Sequence, residues 1–389
     1  MAKTIKETLL GTCVHGKQVL SDIEAIRNNS NDKIYEGNKP DRIIDRLHRK
    51  NLKLIVSSIE NVGEGAKCIR LVSKDGYLPP FEAGQYINIF TTIEGIRTSR
   101  PYSLSSSPRQ RAYYEITVAR IADGFVSDYL LDKLCVGDEL EANGPAGVFH
   151  YNGVFHKKTS VFLAGGSGVT PFLSMIREIF EAGLDREVVL LYGCRNEGAA
   201  LYHKELSELA KRYSRFRYAL VLSDEVEGWQ GDTGFIDEAL IRKYVTNPDD
   251  CTFYICGPQI MNDFCVARLE GMGIPAKRIR REMFGTRRDI KNEPGFPEEL
   301  SGQEHFKLKL GDRVIDALSG ESLLTALERA KIRVNVCCRS GECSLCRVKL
   351  VSGNVFLAQG MLRRAADEKF SYIHSCKAYP ISDVEIILD

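Results

Sequence analysis

The sequence predicts a multidomain protein: an antiparallel β-barrel, then an α/β domain on a parallel sheet, then a compact α+β unit. Three observations carry that prediction. Short alternating runs separated by turn residues occupy positions 52–153. Strand-like and helix-like runs then alternate as far as position 284. Beyond an aperiodic stretch, five of the twelve cysteines gather near the C-terminus. At 389 residues the chain is also long for a single core.

Composition narrows the class. A hydrophobic content of 43% and a charged content of 27% are those of ordinary globular proteins. The formal net charge of +1 gives no global attraction to nucleic acid or to an anionic membrane. No apolar run approaches the ~20 residues that span a bilayer. The opening MAKTIKETLLGTC has a few apolar residues before Cys13, but Glu7 interrupts them, so it reads as the start of a helix and not as an export signal. Residues 1–50 read as a small helical extension with amphipathic stretches at Leu9–Leu20 and Ile43–Leu47. Cys13, Cys68, Cys135, Cys194, Cys251, Cys256 and Cys265 are scattered, and Cys337, Cys338, Cys343, Cys346 and Cys376 are clustered. In a long chain without a signal peptide this suggests a reducing, cytoplasmic location and thiolates that bind metal.

The barrel, expected over 51–154, rests on runs at Lys53–Ser58, Lys67–Val72, Tyr86–Thr91, Tyr114–Arg120 and Glu139–Ala142. Pro79-Pro80, Gly84, Gly95, Gly137 and Gly144-Pro145 punctuate them. The α/β domain, expected over 155–284, begins with a strand at Val161–Ala164 and a helix at Phe172–Ala182 that Gly183 stops. Val188–Tyr192 (strand), Leu201–Tyr213 (helix), Phe216–Leu222 (strand), Thr252–Cys256 (strand) and Ile260–Leu269 (helix) continue the alternation. Residues 285–303 have no period and read as a linker, leaving 304–389 for the cysteine-bearing unit.

Cys338-x4-Cys343-x2-Cys346, with Cys376 30 residues later, has the spacing of plant-type [2Fe–2S] ligation. Each iron takes two thiolates, and a close-wrapping loop with backbone N–H groups directed at the sulfides accounts for Gly341. A zinc site or buried free thiols would be the competing reading. Zinc knuckles usually pair two short C-x-x-C arms, and only one such arm is present. VCCRSGECSLCRVKLVSGNV and HSCKAYPISDVEI together resemble the β-grasp ferredoxin domain at the C-terminus of flavin-dependent oxidoreductases. That family usually has Ser or Ala before the first ligand and Gly after the second. Here Cys337 and Ser344 stand there, so Cys337 is a spare thiol, and Ser344 is expected in a loop that does not depend on glycine at that point.

Arg100-Pro101-Tyr102-Ser103 resembles the RxYS flavin motif of the ferredoxin–NADP reductase superfamily. The resemblance implies that Arg100 neutralises flavin phosphate, Tyr102 lies against the isoalloxazine or ribityl, and Ser103 reaches the N5 edge. Ile116–Arg120, ending in Arg120, and Gly124-x-x-Ser127 follow at the family's spacing. In the FAD-binding branch that Gly-x-x-Ser opens a helix whose N-terminal amides hold the diphosphate, so FAD is expected rather than FMN.

Gly165-Gly166-Ser167-Gly168-Val169-Thr170-Pro171 resembles the superfamily's nucleotide loop, with glycines that let the backbone approach a pyrophosphate. Thr170 is expected to cap the next helix, and Pro171 to suit its first turn. Cys256-Gly257-Pro258-x-x-Met261 resembles the CGPxxM motif and ends a strand of the parallel sheet. By resemblance Cys256 lies near the transferred hydride and Gly257-Pro258 admit the nicotinamide; a small buried core thiol is the other reading of Cys256. Glu282-Met283-Phe284 resembles the family's closing Glu-x-aromatic segment, although a solvated charge and a core Phe also explain it. The resemblance thus gives Ser103, Glu282 and Cys256 as catalytic candidates. Ser223-Asp224-Glu225 stands where NADP-selective relatives often have Ser-Arg, so NADH is favoured, with NADPH still open if Arg195 points inward.

These motifs resemble the phthalate-dioxygenase-reductase-like order of flavin barrel, nucleotide domain and ferredoxin. They imply a reductase that takes hydride from NADH onto FAD and passes single electrons through the cluster to a partner. The partner is expected to be an oxygenase, a hybrid-cluster or corrinoid protein, or another metalloprotein. The alternatives are an electron-transfer subunit of a larger dehydrogenase and a nucleotide-gated redox sensor.

Overall fold

The computed structural model describes residues 15–29, 51–224, 227–283, 290–359, 361 and 363–388. The chain divides into two compact units, Met1–Leu47 and His48–Asp389. In the first, helix α1 spans Gly16–Asn29. The stretch expected at Ile43–Leu47, and the part of Leu9–Leu20 before His15, lie outside the described residues.

In the second unit, strands β1 (Leu52–Gly63), β2 (Ala66–Ser73), β3 (Tyr86–Ile93), β4 (Ile96–Ser103), β5 (Tyr114–Ala119) and β6 (Glu139–Ala146) form an antiparallel sheet in the order β4-β3-β6-β1-β2-β5. A bridge between Leu104 and Ile116 joins its two ends, so the sheet closes on itself as a barrel. Helix α2 (Phe125–Asp132) adds Val126, Leu130 and Leu131 to the barrel core. Strand β4 escaped sequence analysis because IRTSRPYS is polar and contains Pro101. It sits at the end of the strand order, where a proline's missing N–H is tolerated. Strand β3 is buried on both faces: Ile87 and Ile89 point into the barrel, while Tyr86 and Phe90 pack against the C-terminal domain.

Strands β7 (Thr159–Gly165), β8 (Glu187–Cys194), β9 (Phe216–Leu222), β10 (Asp232–Thr233), β11 (Cys251–Cys256) and β12 (Ile279–Glu282) form a parallel sheet ordered β10-β9-β8-β7-β11-β12. The chain works outward from β7 to β9 and then returns to place β11 on the other side of β7, so the order reverses there. Helices α3 (Thr170–Glu181), α4 (His203–Arg212) and α6 (Gln259–Gly271) match the expected ones within a few residues. Helix α5 (Glu238–Tyr244) and strands β10 and β12 were not foreseen. All three are short, and α5 starts at an Asp237 cap that accepts from the Leu240 amide.

The C-terminal sheet runs β14-β13-β19-β15-β17, from β13 (His305–Leu310), β14 (Arg313–Leu318), β15 (Arg347–Ser352), β17 (Tyr372–His374) and β19 (Val384–Leu388). Strands β13 and β19 are parallel, and α7 (Leu323–Arg329) buries Leu323, Ala326 and Leu327 against the sheet. Strands β16 (Val355–Leu357) and β18 (Ala378–Pro380) form a small second ladder. The stretch expected as a linker is fastened down: Ile290 and Phe296 are buried with Ala358 and Tyr379. Its aperiodic sequence concealed two apolar anchors.

Candidate active site at the junction of the domains

The nucleotide loop and the CGPxxM segment lie at the C-terminal ends of β7 and β11, at the crevice where the strand order reverses. They touch closely. A Cβ on Gly168 would stand 2.1 Å from the Cys256 carbonyl oxygen, and one on Gly165 2.3 Å from Met261 Sδ and 3.0 Å from Pro258 Cδ. A Cβ on Gly257 would come within 3.1 Å of Gly165. Gly165 and Gly168 therefore serve the packing of one loop on the other. Gly166 differs: it has φ +52° and open space above it, a cradle suited to a diphosphate. The Thr170 cap does not form. Val169 holds the cap position, and Thr170 begins α3 with its hydroxyl donating to the Ser167 carbonyl at 2.8 Å. Pro171 occupies the first turn as expected. Asp224 lies at the edge of the same end of the sheet, its amide donating to the Arg195 carbonyl at 3.1 Å. Glu225 and Phe284 lie outside the described residues.

On the barrel, Arg100, Tyr102 and Ser103 all belong to β4. Tyr102 packs on the barrel core, and burial raises its pKa. The Arg100 guanidinium donates to Thr98 Oγ1 at 3.0 Å and to the Ser99 carbonyl at 2.7 Å, and among the described residues it makes no direct ion pair. Burial, helped by the nearby Arg339 cation, pulls its pKa down to about 10. A half-buried guanidinium that must share the Glu328 carboxylate with Arg339 fits a phosphate-bearing cofactor. Gly124 opens α2, and a Cβ there would fall 2.8 Å from the Ile121 carbonyl oxygen, so the turn disfavours a side chain. Arg120 is exposed and ion-paired with Asp128 and Asp132.

Three domains meet around Tyr86. It pairs with Ser103 across β3 and β4 and packs against Cys337 and Cys338. A Cβ on Gly147 would be 3.0 Å from the Tyr86 ring and 3.8 Å from Glu282 Oε1. Glu282 in turn pairs with Cys256 across β11 and β12, so the three catalytic candidates surround one junction. Glu282 is buried with no partner for its Oε2, and burial, with Glu342 adding, holds its pKa far above the ordinary carboxylate value. The Glu342 carboxyl is pushed up to about 7, chiefly by burial. Burial also keeps Cys256 protonated, which does not favour a nucleophilic role.

The cluster loop lies against the barrel. Asn88 on β3 and Asn143 on β6 both donate to the Val336 carbonyl, at 3.1 and 3.2 Å. Amides of Ser340 and Cys343 point at Cys338 Sγ, at 3.4 and 3.3 Å, as a cluster-wrapping loop requires. Hydrogen bonding between the Cys338 and Cys343 thiols lowers the pKa of Cys338, and Cys346 is likewise lowered by Cys376. The four thiols thus lie in two pairs, the donor set that two irons need. Cys337 faces away toward Tyr86, and burial raises it to about 12. Gly341 has φ +83°, and its carbonyl accepts from His374 Nδ1 at 2.9 Å. The expectation for Ser344 fails: the residue has φ +60°, the left-handed conformation that glycine favours. Sequence analysis also missed Tyr86, Asn88, Thr98, Asn143, Glu328 and Arg339. Only the unbroken burial potential of Tyr86–Phe90 and an arginine inside the cysteine loop could have signalled them.

A closed flavin-type barrel, a nucleotide crevice and a cysteine loop meeting at one junction define a three-domain flavin and iron–sulfur reductase. Comparisons agree. Family models match an oxidoreductase FAD-binding domain over residues 54–151, an oxidoreductase NAD-binding domain over 162–267 and a 2Fe-2S iron-sulfur cluster binding domain over 308–380. The glycine betaine monooxygenase reductase subunit of Pseudomonas aeruginosa is 27% identical over 319 residues, covering 79% of this chain and 87% of that one. NADH-cytochrome b5 reductase 1 of Dictyostelium discoideum is 34% identical over 198 residues, 50% of this chain and 68% of that one. The structure of phthalate dioxygenase reductase superposes with a TM-score of 0.65 at 27% identity, covering 87% of this chain and 98% of that one. The chain belongs to the ferredoxin–NADP reductase superfamily, in its phthalate-dioxygenase-reductase-like branch. It is a nicotinamide-dependent oxidoreductase, and its cofactors are FAD, a nicotinamide dinucleotide and a [2Fe–2S] cluster. No helix among the described residues is long and apolar enough to cross a membrane.

Proposed function

We propose that this chain is the reductase component of an oxygenase system, passing single electrons from its cluster to a separate metalloprotein. The observation that carries this reading is the two-sidedness of the cluster loop. One side is packed against Tyr86 and the flavin barrel. Away from that contact Leu345, between two of the cysteines, is 50% exposed, which leaves an exit for the electron. The relatives named as reductase subunits of oxygenases support an oxygenase acceptor.

The chemistry a bound flavin supplies is the division of a hydride's electron pair into single electrons. The chain's own residues set the conditions. Gly166 and the start of α3 receive the dinucleotide, while Arg100, Tyr102 and Ser103 hold the flavin on β4. Gly124 and Ser127 take the flavin diphosphate, and Arg120 steadies that turn through Asp128 and Asp132. The buried Glu282 carboxyl keeps a proton at the junction. Cys338, Cys343, Cys346 and Cys376 hold the irons. Asp224 accepts from a ribose hydroxyl and repels a 2′-phosphate, which favours NADH. A cytoplasmic location agrees with clustered thiols that need a reducing environment.

The acceptor is tested by mixing NADH-reduced protein anaerobically with an oxygenase component, a hybrid-cluster protein and a corrinoid protein, and following reoxidation of the cluster absorbance. Rapid transfer to the oxygenase is expected; rapid transfer to one of the others alone would overturn the oxygenase reading. Nucleotide choice is tested by stopped-flow reduction. Like charges in a partly solvated pocket cost a few kcal/mol, so NADH should saturate at roughly hundredfold lower concentration than NADPH. Asp224→Arg should narrow that gap, and equal saturation of the native protein by both nucleotides would remove Asp224 from the site.

A further inference from the structure

The cluster loop reaches the flavin motif through a buried ionic group that belongs to neither the thiolate set nor the RxYS motif. Arg339 follows the first cluster ligand and has φ +53°. Its guanidinium ion-pairs with Glu328 on α7 and donates to Thr98 Oγ1 on β4 at 3.1 Å. Thr98 also accepts from Arg100 at 3.0 Å and donates to Glu328 Oε2 at 3.0 Å. One hydroxyl thereby uses its single proton and both lone pairs, and it can take no further partner.

The charges in this group do not balance. Arg339 and Glu328 are nearly excluded from solvent, at 8% and 11% side-chain exposure. Arg100 is half-buried beside them. Glu328 is the carboxylate facing both guanidinium groups, so two cations share one anion. Arg339 Nε is buried without a hydrogen-bond partner, and the hydrogen bonds of Arg100 go only to Thr98 Oγ1 and the Ser99 carbonyl. A buried excess of positive charge with unused donors is expensive unless an anion joins it. Planar guanidinium forks are suited to phosphate oxygens.

We infer that Arg339, supplied by the ferredoxin domain, is a second phosphate-binding arginine for the flavin, acting with Arg100 across the domain boundary. This inference rests on the flavin reading of the barrel. The flavin's phosphate becomes the counter-ion that neutralises the interface, so flavin binding and seating of the cluster loop on the barrel reinforce each other. Glu328 positions Arg339 and limits the excess to one charge, and Thr98 fixes the spacing of the two guanidinium groups. The arginine stands beside a cluster ligand, which makes the loop that carries the electron also the loop that senses whether flavin is present.

The test compares flavins that differ only in phosphate. Purified cluster-containing protein is freed of flavin and titrated with FAD, FMN and riboflavin by fluorescence quenching, with visible absorbance reporting the cluster. In Arg339→Gln, affinity for FAD and FMN should fall about a hundredfold, as for loss of a buried charge-assisted contact, while riboflavin affinity stays within about twofold. A loss for FAD larger than for FMN would place the diphosphate there; equal losses would place the proximal phosphate. Glu328→Gln removes the competing carboxylate and should bind FAD at least as tightly as the native protein. If Arg339→Gln fails to fold, Arg339→Lys keeps the charge without the fork and should lose roughly tenfold for the phosphorylated flavins alone. A purely structural interface would weaken all three flavins equally in both variants, or none, and either result overturns the inference. A native protein that binds none of the three would refute the flavin reading itself.

Discussion

The nucleotide loop at Gly165–Pro171 and the cluster loop at Cys338–Cys346 meet similar demands in opposite ways. Both must bring backbone amides close to a negatively charged group. The nucleotide loop places glycine at each tight point: at Gly166 for a left-handed φ, and at Gly165 and Gly168 for contact with Met261 and the Cys256 carbonyl. The cluster loop has glycine only at Gly341, and carries side chains at two other left-handed positions, Arg339 and Ser344. The first loop is shaped by what is absent. The second is held from outside, by Asn88 and Asn143 on the Val336 carbonyl and by Glu328 and Thr98 on Arg339.

The largest expected effect breaks the cluster loop at its ligands. Cys338→Ser, Cys343→Ser or Cys346→Ser removes a thiolate that an iron needs and should eliminate the [2Fe–2S] absorbance and iron content. Reduction of the flavin by NADH should continue. Cys337→Ser should keep the cluster, because that thiol faces Tyr86 and remains protonated. Iron loss from Cys337→Ser with iron retained in Cys338→Ser would show that the ligand register is shifted by one.

A smaller effect tests the nucleotide loop. Gly168→Ala puts a methyl 2.1 Å from a carbonyl oxygen of the main chain, so the two loops must separate. Overpacking of this kind costs about 2–3 kcal/mol, which here would appear as a roughly hundredfold rise in the NADH dissociation constant. Flavin and iron content should not change, since Arg100, Gly124 and the clustered cysteines lie on other segments. Unchanged NADH binding would mean that the approach to Cys256 is looser than it stands here.

The sequence made the repeating parts of this molecule legible and concealed the joints. The barrel strands and most helices were visible because their faces are apolar at period 2 or 3.6. The cysteine cluster was legible because its spacing survives without any knowledge of tertiary contact. Strand β4 was missed because a proline and five polar residues suit the end of a strand order that a flavin motif occupies. The junction was missed for a different reason. Tyr86, Asn88, Asn143, Thr98, Glu328 and Arg339 come from five elements, and no local pattern marks residues whose partners across the domain boundary lie up to hundreds of positions away. The Thr170 cap failed because a 3-10 turn at Gly166–Val169 moved the helix boundary by one residue.

The smallest effect sharpens the contrast between the loops most directly. Ser344 at φ +60° carries a left-handed penalty of roughly 1–2 kcal/mol that glycine does not. Ser344→Gly relieves it, but also frees the unfolded chain by about 0.4–1 kcal/mol, so the net gain should be about 1 kcal/mol or less. That gain should appear as a modest rise in melting temperature and slower bleaching of the cluster by a chelator. The corresponding change at the other left-handed position should do the reverse. Arg339→Gly relieves the same backbone penalty but deletes a buried ion pair with Glu328 and a bond to Thr98, a loss that outweighs the relief even though Thr98 still donates to the carboxylate. Opposite signs for the two glycine variants are therefore expected. If Ser344→Gly instead destabilises the cluster as Arg339→Gly does, the serine side chain itself supports the loop, and the two positions are held in the same way.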